Sequence, residues 1–115
     1  MTPEQIEAGD YKWWELAEYL GYETKRDHGR IGQAYRKEGE STWKRFSMFK
    51  PYGNSDTDWL LKHMPEDFQA KLEYSQRFDD WTCSLVDSDL EQEGEARSKK
   101  MFHAAFAAYV RFMEQ

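Results

Sequence analysis

Apolar side chains recur at the helical period over the last twenty or so residues of the chain. From about Glu95 to Glu114, Phe102, Ala105, Phe106, Tyr109 and Met113 fall on one stripe, flanked by Met101, Val110 and Phe112. Arg97, Lys100, Ala104, Ala107 and Arg111 fall opposite. This is the pattern of a helix that buries one face. Fully burying one large apolar side chain is worth roughly 1.5–3 kcal/mol, so this C-terminal helix, preceded by Gly94, is expected to supply the largest share of the core.

Shorter helices precede it. Thr2-Pro3-Glu4-Gln5 reads as a helix start, with Thr2 as N-cap, Pro3 at the first helical position and Gln5 closing a capping box. Gly9 interrupts that turn. Asp10 is then expected to cap a helix from Tyr11 to Leu20, with Trp13, Leu16, Ala17 and Leu20 inward and Gly21 as its stop. After the turn Pro51-Tyr52-Gly53-Asn54, Ser55 caps a third helix with Asp56 and Asp58 in its first turn and Leu60, Leu61 and Met64 inside, closed by Pro65.

Two stretches change period. Ala70, Leu72 and Tyr74 alternate with polar residues, as do Trp81, Cys83 and Leu85. Alternation is the mark of half-buried strands, and the segment from Gln76 to Asp80 joins them as an antiparallel hairpin. Asp87 to Glu95 reads as an acidic linker. Tyr22 to Lys50 holds no lasting period and is broken by Gly29, Gly32 and Gly39. Within it Tyr22–Lys25 and Thr42–Phe49 are strand candidates, and Lys25–Lys44 reads as a long exposed loop. A hairpin alone is marginal, so a third strand is expected from residues 22–50. The chain is therefore expected to be α+β: a small antiparallel sheet of two to three strands packed by the amphipathic C-terminal helix and by N-terminal helices, in a single domain over residues 1–115.

Charge sharpens this picture. The formal net charge is −6, but Tyr22 to Lys50 carries eight Lys/Arg against four Asp/Glu while the remainder carries eight against eighteen. Such a division either pairs internally or steers the protein toward a charged partner. No apolar run approaches the ~18–20 residues of a membrane span, and the first residues lack the pattern of a signal peptide. The one cysteine, Cys83, has no intramolecular partner. These features point to a cytoplasmic, reducing setting.

Candidate chemistry is sparse. His28, His63, His103 and Cys83 lack ligand spacing, and the run from Asp87 fails as a calcium loop, with Gln92 where Gly is needed and Ser98 where Glu is needed. No nucleophile elbow, phosphate loop or dinucleotide fingerprint occurs. Neither enzyme activity, metal nor cofactor is implied. Asp87, Asp89, Glu91, Glu93 and Glu95 form an acidic run, read either as a solvated linker or as a patch for a basic groove. Trp14 and Tyr19 lie off the apolar stripe of their helix, as flank packing or as aromatic anchors for a partner. Lys25, Arg26, Arg30, Arg36, Lys37, Lys44 and Arg45 interleave with Tyr35, Trp43 and Phe46. Cations for phosphates and rings for bases are the chemistry of single-strand binding.

Leu16-Ala17-Glu18-Tyr19-Leu20-Gly21-Tyr22 closes the second helix, and Pro51-Tyr52-Gly53-Asn54-Ser55-Asp56-Thr57-Asp58-Trp59 opens the third. A hairpin with a Trp-initiated strand follows, and Gly94-Glu95-Ala96 leads into an Ala-rich terminal helix. This layout resembles the phage ABA-sandwich family, small α/β proteins encoded by phages and prophages. The resemblance implies an α-β-α layered fold and no catalytic residues. With the charge division, it leads to the expectation of a non-enzymatic, anti-CRISPR-like inhibitor in the host cytoplasm. Such a protein would act as a monomer or homodimer, covering a basic groove of a host protein or ribonucleoprotein defence complex with its acids. A nucleic-acid-binding accessory protein working through residues 25–46, or a self-associating structural protein, is the alternative.

Overall fold

The computed structural model describes residues 1–49, 56–63, 68–87, 89 and 92–114. In chain order the helices and strands are α1 (Pro3–Glu7), α2 (Trp13–Tyr19), β1 (Tyr22–Lys25), β2 (Ala34–Lys37), β3 (Lys44–Arg45), α3 (Asp56–Lys62), β4 (Phe68–Ser75), β5 (Asp80–Asp87), β6 (Glu93–Ser98) and α4 (Met101–Met113). The class is α+β, with two antiparallel sheets of three strands each. The backbone divides into two compact units: Met1–Asp10 with Asp56–Gln115, and Tyr11–Ser55.

In the first unit the strands run in the order β4-β5-β6. The expected hairpin is present, with Leu72 opposite Cys83 and Ser75 opposite Asp80. Its third strand is not drawn from residues 22–50. It is β6, with Ala96 opposite Cys83 and Gly94 opposite Leu85. The acidic linker and the first turn of the expected C-terminal helix are thus partly strand. On β6 burial alternates strictly, with Gly94, Ala96 and Ser98 buried between exposed Glu93, Glu95 and Arg97. The buried residues are all small, and α4 lies directly on them: a Cβ on Gly94 would meet the Ala108 carbonyl oxygen and, at 2.6 Å, the Phe112 nitrogen. Only a strand that presents small residues inward admits a helix this close.

Helix α4 is enclosed on more than one face. Phe102, Phe106, Val110 and Phe112 are buried as expected, but so are Ala104 and Ala107 from the supposedly polar side, while Met113 from the apolar stripe is exposed. α4 packs on β5 and β6, and α1 and α3 pack on α4. The opposite face of the sheet, with Gln69, Lys71, Glu73, Glu93, Glu95 and Arg97, is exposed. Within this unit the helices therefore pack on the other face of the sheet. At the start of α1 the capping box forms as expected, with Thr2 N–H donating to Gln5 Oε1 and Gln5 N–H to Thr2 Oγ1. In α3 Leu60 is fully buried and Leu61 partly; the turn at 51–54, the Ser55 cap, Met64 and Pro65 lie outside the described residues.

The second unit is built on rings. Helix α2 starts at Trp13, two residues later than expected, with Lys12 rather than Asp10 in the cap position and its amide held by Glu15. The Asp10 amide instead donates to Gln5 O and closes α1. Gly21 ends α2 as expected, at φ +93°. The strands run β1-β2-β3, with Tyr22–Lys25 paired to Ala34–Lys37. The segment Lys25–Lys44, expected as a loop, thus contributes a full strand and a 3-10 turn at Gly29–Ile31. Of the expected strand Thr42–Phe49 only Lys44–Arg45 pairs, and Phe46–Met48 is a 3-10 turn. That turn carries Phe46 onto Trp13, with ring centroids 4.4 Å apart, while Phe49 meets Tyr35 at 4.9 Å and Tyr22 at 5.5 Å. Tyr35 fixes the arrangement by donating its hydroxyl to Met48 O at 2.9 Å.

Candidate functional site

Pairing in the second unit sorts the basic residues by face. Glu23, Lys25, Ala34 and Arg36 share one face of β1 and β2, with Arg45 opposite Ala34. Trp43, two residues before Arg45, meets the cations of this face: Lys25 Nζ lies 4.8 Å and the Arg36 guanidinium 4.4 Å from its ring centroid, with the His28 ring at 5.4 Å. Arg36 also donates to Glu23 at 2.6 Å. Each cation–π contact at a partly exposed site is worth about 0.5–1 kcal/mol, so the cluster has a structural use of its own in pinning the strand entry at Trp43. Lys37 and Lys44 lie on the other face, and Arg30 is exposed on the 3-10 turn. Of the basic candidates the fold therefore brings Lys25 and Arg36 onto Trp43, sets Arg45 on the same face, and places Arg30, Lys37 and Lys44 elsewhere.

Arg26 makes a separate contact, its guanidinium 4.5 Å from the Trp14 ring centroid. Trp14 also meets Trp13 edge-on at 6.2 Å and is half-buried, as is Tyr19. Both candidate anchors are thus partly spent on packing. The most exposed large apolar side chains are others, among them Met48, Tyr74, Phe78 and Met113.

The acidic candidates belong to the first unit. Glu93 and Glu95 project from β6 on the exposed face, Asp89 is exposed in the turn before it, and Asp87 is half-buried at the end of β5, its amide donating to Gln92 O. Glu91 lies outside the described residues. The nearby cations are already engaged: Arg97 Nε is 2.6 Å from Asp80 and Lys71 Nζ 2.8 Å from Glu73. With exposed Asp89, Glu93 and Glu95 give this corner of the sheet its acidic character.

A third arrangement was invisible to spacing. Glu7, at the end of α1, receives two hydrogen bonds from the Arg111 guanidinium, at 2.9 and 3.0 Å, and one from the Arg97 amide at 2.8 Å. Burial alone works to raise the Glu7 carboxyl, but those bonds and the Arg111 charge outweigh it and hold it below the ordinary value. The three groups are brought together from both ends of the chain, a pairing that no local pattern announces.

Cys83 is fully buried on the inner face of β5, and burial pushes its thiol up to about 11. A thiol held neutral at physiological pH is a poor nucleophile. Among the described residues no group of three His, Cys, Asp or Glu side chains is placed to hold a metal ion, and no helix is long and apolar enough to cross a membrane. No protein-family model, curated protein or solved structure matches the chain.

Proposed function

We propose that this is a small non-catalytic binding protein of phage or prophage type, which uses the acidic corner of its first unit to occlude a basic groove on a host macromolecule. A defence ribonucleoprotein in the host cytoplasm, such as a CRISPR effector, is the class of target whose groove has the required charge. The observation that carries the reading is the charge division between the units: nine Lys/Arg against six Asp/Glu in Tyr11–Ser55, but seven against sixteen in the rest. A net −9 on one compact unit steers it toward a polycation and away from other polyanions.

Reversing Asp89, Glu93 and Glu95 to Lys should weaken retention of the target from nuclease-treated host lysate several-fold and leave the thermal midpoint nearly unchanged. Equal retention by the variant removes the acidic corner from the reading.

The Trp43 cluster supports a second reading, in which the basic unit binds single-stranded nucleic acid. Here the target would be lost on nuclease treatment, affinity would fall steeply with salt, and Trp43→Ala with Arg45→Ala would abolish most of it.

A further inference from the structure

The sheet of the first unit ends differently at its two edges. At β6 two backbone groups are taken by side chains: the Arg97 amide donates to Glu7 and the Glu95 carbonyl accepts from Arg111 at 2.8 Å. This is edge protection by side chains from α1 and α4. Strand β4 is eight residues long and contains neither proline nor glycine, and among the described residues it pairs with β5 alone. Its apolar row is also left open. Ala70 is exposed, Leu72 is only half-buried and Tyr74 is 47% exposed. An edge of this kind is a template for another strand.

The sequence of β4 selects which strand. A two-fold axis normal to the sheet keeps inner faces together and must pass beside one residue that faces itself. Centred on Lys71 it sets Lys against Lys, and centred on Glu73 it sets Glu against Glu. Centred on Leu72 it sets Lys71 against Glu73 of the second copy, twice, on the outer face. On the inner face the same register sets Leu72 against Leu72 and Ala70 against Tyr74. Lys71 and Glu73 lie 2.8 Å apart within one copy, so in this register the two pairs would join into one cluster of four alternating charges. Directly opposed unlike charges stabilise a strand pair and like charges oppose it.

We propose that the protein forms a two-fold homodimer in which two β4 edges pair antiparallel about Leu72, joining two three-stranded sheets into one of six strands. The proposal does not rest on the acidic-corner reading, whose residues Asp89, Glu93 and Glu95 lie on and before β6, at the other end of the strand order.

Sedimentation over a wide concentration range tests it on five samples: the wild type, Glu73→Lys, Lys71→Glu, the double exchange of both, and an equimolar mixture of the two single variants. Circular dichroism checks that each is folded; both positions are solvent-exposed and tolerate the changes. The wild type should show a concentration-dependent dimer. Each single variant should dimerise about tenfold or more weakly, because two symmetric pairs become repulsive. The double exchange should restore the dimer, and the mixture should form a heterodimer. A wild type that stays monomeric overturns the proposal. So do single variants that dimerise undiminished, which would place the contact elsewhere, and so does a double exchange that fails to restore pairing.

Discussion

In the first unit, α4 comes so close to β6 that no side chain fits between them at Gly94, and the strands it covers are eight, eight and six residues long. In the second unit the strands are only four, four and two residues long, and the core is a set of tilted and edge-on rings. Long ladders distribute stability over many backbone pairs, so the helix above them needs shape more than bulk. Short ladders cannot, and the second unit depends on a few large side chains: Trp13, Tyr22, Tyr35, Phe46 and Phe49. The two units thus reach a packed state by opposite means, one by removing side chains at the contact and the other by filling it with aromatic ones.

The most damaging way to break this contrast is to remove the ring at its centre. Trp13→Ala should cost the second unit about 3–5 kcal/mol, read from the loss of its β1–β2 amide protection in hydrogen exchange. Trp13→Phe should cost much less. The ring stays against Phe46 and Phe49, and the indole N–H that has no hydrogen-bond partner among the described residues is dropped. Equal losses for the two variants would show that the ring cluster is not what supports the unit.

The complementary change adds one methyl group to the first unit. Gly94→Ala should cost about 3 kcal/mol, because the Cβ would strike backbone atoms of α4 that are fixed in a helix. Gly21→Ala serves as the control: its φ is +93° but nothing lies within 4 Å, so only backbone strain of about 1–2 kcal/mol is expected. Urea midpoints for the two variants rank the effects. A Gly94→Ala midpoint no lower than that of Gly21→Ala would mean that α4 can retreat from β6.

The same contrast explains what could be read from the sequence. The β4–β5 hairpin was legible because its alternation is one of large apolar against polar residues, Trp81, Cys83 and Leu85 against Thr82 and Ser84. β6 alternates too, but Gly94, Ala96 and Ser98 carry almost no hydrophobic signal, and Glu95-Ala96-Arg97 is composed of good helix formers, so the local pattern extends the C-terminal helix over what is a strand. Tertiary packing overrode propensity there. In the second unit, β2 was hidden because Ala34 and Tyr35 are buried in succession, which gives no period at all. Of the candidate sites, spacing foresaw that basic residues and aromatics would share a segment. Which of them meet at Trp43 depends on the strand pairing of Lys25 with Ala34 and of Glu23 with Arg36, which no local pattern specifies.

The smallest expected effect concerns Glu7, the group that joins α1, β6 and α4 in the first unit and has no counterpart in the ring-built second unit. Its carboxyl titrates below its ordinary value of 4.5 when folded. The folded state therefore binds fewer protons than the unfolded state as pH falls through this range. The stability that Glu7 contributes is fully present above the unfolded value and is lost as pH drops through the folded one. Glu7→Gln retains an acceptor for the Arg97 amide but loses the charge facing Arg111. At pH 7 it should cost about 1–2 kcal/mol, the lower part of the range for hydrogen bonds to a charged partner because Arg111 is partly exposed. At pH 3 the gap between wild type and variant in urea denaturation should narrow, since this lies below the ordinary value of 4.5 and the unfolded wild-type chain then gains a proton that the folded state resists. A gap of the same size at both pH values would mean that Glu7 holds β6 by shape and neutral hydrogen bonding alone. The sheet edge at β6 would then stay protected in acid, leaving the two edges of the sheet as unlike at low pH as they are at neutrality.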